Sequence, residues 1–67
     1  MIFKSFVIEA TFESGLAVGG LRSHLAANGS GWLNAKMSFL DGYAEVEVAA
    51  HNPLVMSYVE DKLAAFV

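Results

Sequence analysis

The chain has 67 residues with a formal net charge of −3; 55% of them are hydrophobic, 16% are charged and none is cysteine. This length predicts one domain over residues 1–67, and the lack of cysteine excludes disulfide bonds. The four basic residues form no cluster, which argues against a nucleic-acid partner. We expect no membrane segment, because no run of about 18 apolar residues is present. The opening residues lack the order of a signal peptide, so we expect a cytoplasmic protein.

The apolar content is high for so short a chain. A domain of this size buries only about 60% of its unfolded surface and usually needs a disulfide, a metal or a partner subunit. A metal site is not indicated, because His24 and His51 are the only nitrogen ligands and lie in no zinc-type spacing. Association with a partner subunit is the option that remains of these three, and we therefore expect a homodimer.

Alternating apolar residues predict a first strand over residues 2–13. A helix is predicted over residues 14–28, with Ser14 as N-cap and Asn28-Gly29 as the C-terminal stop. Its predicted buried stripe comprises Leu16, Gly20, Leu21 and Leu25, with His24 or Ala17. Gly19 and Gly20 predict close approach to the sheet or to another helix, or else a helix that begins only near Gly20.

Residues 32–50 predict a β-hairpin, because two alternating runs meet at Asp41-Gly42. A two-residue type I′ turn at these positions places Leu40 opposite Tyr43 and Lys36 opposite Glu47. The inner face then comprises Leu33, Ala35, Met37 and Phe39 on one strand and Ala44, Val46, Val48 and Ala50 on the other.

A second helix is predicted to start at Pro53, with Asn52 as its cap. Its predicted apolar positions are Leu54, Val55, Tyr58, Val59, Leu63 and Phe66. The β-α-β-β-α order predicts an α+β two-layer sandwich, in which a three-stranded antiparallel-type sheet carries both helices on one face. Strand three is antiparallel to the other two and lies between or beside them. This order resembles a ferredoxin-like fold lacking its last strand, which leaves an edge of the sheet, expected at strand one, unpaired.

Four acidic residues fall on the outward parity of their strands: Glu9, Glu13, Glu45 and Glu47. Paired carboxylates can act as acid and base or hold a cation, but a solvated sheet face is the favoured interpretation. The serines lie in no nucleophile motif, and residues 15–20 lack the spacing of a phosphate loop. His24 is expected to be partly buried and His51 to lie near Trp32. We therefore expect no enzymatic activity, no metal site and no cofactor.

The outer side of the hairpin carries Trp32, Leu40 and Tyr43 beside Glu45 and Glu47. Phe3 and Val7 share the outward parity of strand one. Trp and Tyr are enriched at the energetic centres of interfaces, so these five hairpin residues are the predicted partner-binding site. Only Lys4 and Lys36 oppose the acids, which disfavours nucleic acid. The predicted function is a small protein-interaction module of adaptor or inhibitor type.

An alternative follows from Trp32 at the start of a strand. In this respect the chain resembles dodecin-type flavin binders, which are small β-α-β-β chains, although the C-terminal helix departs from that pattern. The resemblance implies a small-molecule carrier, in which an oligomer encloses a flat aromatic ligand against Trp32.

Overall fold

The computed structural model describes all residues, 1–67. Its elements are β1 (Ile2–Glu9), α1 (Phe12–Asn28), β2 (Gly31–Ser38), β3 (Tyr43–Ala50), α2 (Pro53–Leu63) and a 3-10 turn (Ala64–Phe66). The predicted β-α-β-β-α order and α+β class are confirmed.

The sheet has the strand order β1-β3-β2, and β3 is antiparallel to both neighbours. The central place of β3 agrees with a ferredoxin-like arrangement without a fourth strand. Both β1 and β2 are edge strands, because each pairs with β3 alone. The outer edge of β1 has no neighbouring strand, as predicted.

The turn between β2 and β3 spans four residues, 39–42, so the predicted two-residue turn is wrong. Ser38 Oγ donates to Asp41 Oδ2 at 2.8 Å, and the Gly42 N–H donates to the Ser38 carbonyl at 2.9 Å. Gly42 has a φ of 81°, which glycine adopts without steric penalty. These contacts take Phe39 out of the strand, so its predicted place opposite Ala44 is also wrong.

The wider turn shifts the hairpin register by two residues. Trp32 lies opposite Ala49, and Lys36 lies opposite Glu45 instead of Glu47. Because side chains alternate between faces with a period of two, this shift leaves every strand residue on its predicted face. The inner and outer surfaces of the hairpin are therefore as predicted, although the individual cross-strand pairs are different.

The boundary between β1 and α1 lies earlier than predicted, because Thr11 rather than Ser14 caps the helix. Thr11 Oγ1 accepts from the Ser14 N–H at 3.0 Å, and Ser14 Oγ accepts from the Thr11 N–H at 2.8 Å. This capping box ends the extended segment and makes residues 12–13 helical. At the other end the predicted stop is confirmed, since Gly29 follows Asn28 in the left-handed conformation with a φ of 60°.

The core lies between the helices and one face of the sheet. Its members are Ile8, Val18, Leu21, Leu25, Leu33, Ala44, Val46, Val48, Ala50, Met56, Val59 and Leu63. The predicted helix stripes are correct in part: Leu16, Gly20, His24, Leu54 and Tyr58 are exposed, whereas Val18 and Met56 are buried. Apolar residues surround α1 on several sides, so periodicity alone does not select the face that meets the sheet.

The predicted close packing at Gly19 and Gly20 is wrong. A Cβ atom added at either position would meet no atom within 4 Å. Asn52 caps α2 as predicted, with its Oδ1 accepting from the Val55 N–H at 3.0 Å and Pro53 in the first turn.

Candidate interaction surface

One face of the sheet has no helix against it; we call it the open sheet face. Its residues form four cross-strand rows: Phe3–Ala49–Trp32, Ser5–Glu47–Asn34, Val7–Glu45–Lys36 and Glu9–Tyr43–Ser38. Each row joins one residue from β1, one from β3 and one from β2. The predicted site residues Trp32, Tyr43, Glu45 and Glu47 are brought together on this face.

The first row forms an aromatic pair over a small residue. The ring centroids of Phe3 and Trp32 lie 6.4 Å apart in a T-shaped arrangement with an interplanar angle of 61°. Their strands are separated by two strand spacings, roughly 9.6 Å, so the rings lean toward each other over β3. Ala49 beneath them is 0% exposed although no helix covers it. Trp32 itself remains 46% exposed, so the pair presents an apolar surface to solvent.

Three carboxylates and one ammonium group lie on the open sheet face: Glu9, Glu45 and Glu47 against Lys36. Lys4 points to the helix side, where its Nζ lies 2.7 Å from Glu60 Oε1 in the only salt bridge of the protein. Its predicted place beside the acids is therefore wrong, as is that of Glu13, which lies in the first turn of α1. The net charge of the face stays at the predicted −2, because it loses one acid and one base and keeps three acids and one base.

Leu40 lies apart from the rest of the predicted site. It occupies the four-residue turn and is fully exposed, next to an exposed Phe39. The turn adjoins the end of the open sheet face where Tyr43 begins β3. Leu40 is therefore at the border of this face rather than in one of its rows.

The two histidines have separate contacts. The His24 ring stacks on Tyr58 with centroids 4.9 Å apart, and His24 is exposed rather than partly buried as predicted. The His51 N–H donates to the Ser30 carbonyl, and the shifted register places Ala49 rather than His51 opposite Trp32. No three His, Cys, Asp or Glu side chains converge in the structure.

The sequence did not predict a second surface feature, a groove between α1 and α2. Its volume is about 440 Å³, and it is lined by Ala17, Gly20, Leu21, His24, Tyr58, Lys62, Ala65 and Phe66. The helix stripes predicted from sequence placed Gly20 and Tyr58 in the core. Because both residues are exposed and line the groove, the sequence did not indicate it. Residues 15–20 lie inside α1, so they form no phosphate-binding loop.

Neither helix is both long enough and apolar enough to cross a membrane. Comparison with protein-family models, with curated proteins and with solved structures yields no match. We therefore infer function from the geometry and charge of the chain itself.

Proposed function

We propose that this protein is a small non-enzymatic interaction module, of adaptor or inhibitor type, that acts as a homodimer and binds another protein through its open sheet face. The observation that carries the proposal is the Phe3–Trp32 pair over Ala49, an exposed aromatic cluster on a face with no covering element. Buried aromatic anchors supply much of the binding energy in protein interfaces, and exposed ones on a small domain mark such sites.

The charges around this cluster define the partner's chemistry. Glu45 and Glu47 lie on the central strand, Glu9 lies on the edge strand, and Lys36 is the only base among them. None of these four groups has an ion-pair partner within the chain. A complementary partner presents lysine or arginine side chains around an apolar patch, and the attraction weakens as salt is added.

A capture experiment with two double variants tests the open sheet face. The tagged chain is used as bait in a lysate of its source cells, and captured proteins are identified by mass spectrometry. We expect Trp32→Ala with Tyr43→Ala to lose the partner at least tenfold, because both rings lie on the open sheet face. The matched control is Leu54→Ala with Tyr58→Ala, which removes two exposed apolar side chains on the helix side.

Two results would contradict this site. One is retention of the partner by a folded Trp32→Ala, Tyr43→Ala variant. The other is equal loss in both double variants, since that outcome would reflect general stickiness. A partner whose capture does not weaken with added salt would contradict the electrostatic part of the proposal.

Light scattering coupled to size exclusion tests the homodimer. We expect twice the 7.2 kDa chain mass at high micromolar concentration. An open strand edge supplies the contact between copies in this proposal, since β1 and β2 each pair with β3 alone. A mass of one chain at that concentration would exclude the homodimer.

A second candidate function is carriage of a flat aromatic ligand, favoured by a shallow recess of about 340 Å³ beside the aromatic pair. The recess is lined by Phe3, Lys4, Ser5, Trp32, Glu47 and Val48. Flavin mononucleotide is the probe, because stacking on Trp32 would quench the fluorescence of the chain's single tryptophan. Saturable quenching that is lost in Phe3→Ala would support this function, and unchanged fluorescence would exclude it.

A further inference from the structure

The hydrogen bonds of β1 show which of its backbone groups lack a partner. The Ala10 N–H donates to the Gly42 carbonyl at 3.1 Å, in line with the β1–β3 register. Hydrogen-bonded pairs alternate along an antiparallel ladder, so the even-numbered residues of β1 bond to β3. The N–H and C=O groups of the odd-numbered residues therefore point to the open edge: Phe3, Ser5, Val7 and Glu9.

The other edge of the sheet is partly covered. By the same alternation, the His51 N–H to Ser30 carbonyl bond directs the backbone groups of Leu33 outward on β2. Arg22 of α1 donates from Nε to the Leu33 carbonyl at 3.3 Å and from Nη2 to Asn34 Oδ1 at 3.5 Å. No side chain makes a hydrogen bond of this kind to the backbone of β1. The two edges are thus unequal, and β1 is the one available for pairing.

We propose that β1 pairs antiparallel with β1 of a second copy, with Ser5 opposite Ser5 on the two-fold axis, so that two sheets join into one of six strands. This inference rests on the proposed homodimer and specifies its interface. The symmetric contact places the same residues on both sides, as a closed dimer requires. Pairing of this length forms about six backbone hydrogen bonds between the copies.

The side chains select this register among the symmetric ones. Centring on Ser5 places Phe3 opposite the partner's Val7 on the open sheet face, and Ile2 opposite the partner's Ile8 on the helix side. Both are apolar pairs, which stabilise neighbouring strands. Centring on Phe6 instead places Phe3 opposite the partner's Glu9. Centring on Val7 leaves Ile2 unpaired and shortens the overlap.

Charge excludes the alternative in which the two open sheet faces pack against each other. That arrangement would bury Glu9, Glu45 and Glu47 of one copy against the same acids of the other, with only Lys36 to offset them. Like charges brought together in an interface are strongly unfavourable. Edge pairing leaves the open sheet face of each copy uncovered. The partner's Val7 then continues the row of Trp32, Ala49 and Phe3 across the β1–β1 contact.

Single-cysteine variants test the register, since the native chain has no thiol. In the proposed dimer the two Ser5 Cα atoms lie about 5.5 Å apart, which a disulfide can bridge. We expect Ser5→Cys to run mostly as a covalent dimer after mild oxidation. Val7→Cys is the matched control on the same strand and face: its two copies are four residues out of register, offset by about 13 Å along the strands, and should stay uncrosslinked.

Ser5→Pro provides a second measurement. The Ser5 N–H points away from β3, so proline removes no bond within the chain but removes a donor at the two-fold axis. We expect a folded chain by circular dichroism with the mass of a monomer. A folded Ser5→Pro dimer would overturn the proposed edge.

The outcomes separate this inference from the proposed function. A native dimer in which Ser5→Cys does not crosslink, or in which Val7→Cys crosslinks instead, overturns the Ser5-centred pairing and leaves the homodimer standing. A native monomer overturns the homodimer and this pairing together, while the capture experiment still decides partner binding at the open sheet face.

Discussion

Gly19 and Gly31 occupy opposite steric environments. Gly19 lies on an exposed turn of α1, and an added Cβ would meet nothing within 4 Å. Gly31 begins β2 with a φ of 156°, and an added Cβ would lie 2.0 Å from the Ala49 carbonyl oxygen. Glycine is therefore replaceable at the first position and required at the second. The sequence predicted close packing at Gly19 and gave no sign of it at Gly31, because the contact at Gly31 is made by a strand 18 residues farther along the chain.

Gly19→Ala should stabilise the protein by about 0.5–1 kcal/mol, because alanine restricts the unfolded chain and suits a helix interior. Gly31→Ala should destabilise it by about 1–3 kcal/mol through steric strain. Urea unfolding followed by circular dichroism measures both. A loss of stability in Gly19→Ala would mean that this side of α1 is covered in solution.

At the scale of elements, the start of α1 depends on one side chain. The Thr11 hydroxyl satisfies the Ser14 N–H, which would otherwise lack a partner within the helix. The sequence predicted Ser14 as the cap, but Thr11 carries a hydroxyl of the same kind three residues earlier. The structure selects Thr11 because Ser14 then reaches back to the Thr11 N–H and is fully buried.

Thr11→Ala should lower the free energy of unfolding by about 0.5–2 kcal/mol, the usual range for loss of an N-cap. Thr11→Ser keeps the hydroxyl and should lose much less. Denaturant titration of the two variants in parallel gives the difference. Equal losses would assign the effect to the threonine methyl group instead of the cap.

At the scale of the whole molecule, the small size of the domain limits how many apolar side chains it can bury. Twelve large hydrophobic side chains remain exposed, on both the open sheet face and the helices. A domain this small has too little interior for its apolar residues. The composition therefore supports association, and the uncovered β1 edge supplies a place for it.

If folding and dimer formation are coupled, the thermal midpoint depends on protein concentration by mass action. We expect the midpoint to rise by several degrees between low and high micromolar concentration for the native chain. Ser5→Pro should have a lower midpoint that does not vary with concentration. A concentration-independent midpoint in the native chain would count against coupled folding and dimerisation.

The sequence by itself determined the element order, the α+β class and the face of the sheet on which each strand residue of the hairpin lies. Alternation has a period of two, so it assigns faces correctly even when the register is displaced by two residues. The sequence therefore predicts which acidic and aromatic residues of the hairpin lie on the open sheet face, but it predicts the wrong cross-strand pairs for them.

Only the tertiary structure decided the turn, the buried sides of the helices and the inequality of the two sheet edges. The turn depends on hydrogen bonds that Ser38 makes with Asp41 and Gly42, and the edges differ because Arg22 donates to the Leu33 carbonyl from another element. Helix α1 carries apolar residues on several sides, so its contact with the sheet selects which of them are buried. The buried helix sides and the unequal edges depend on residues that meet only when the chain is folded, and the turn depends on which local hydrogen bonds residues 38–42 form.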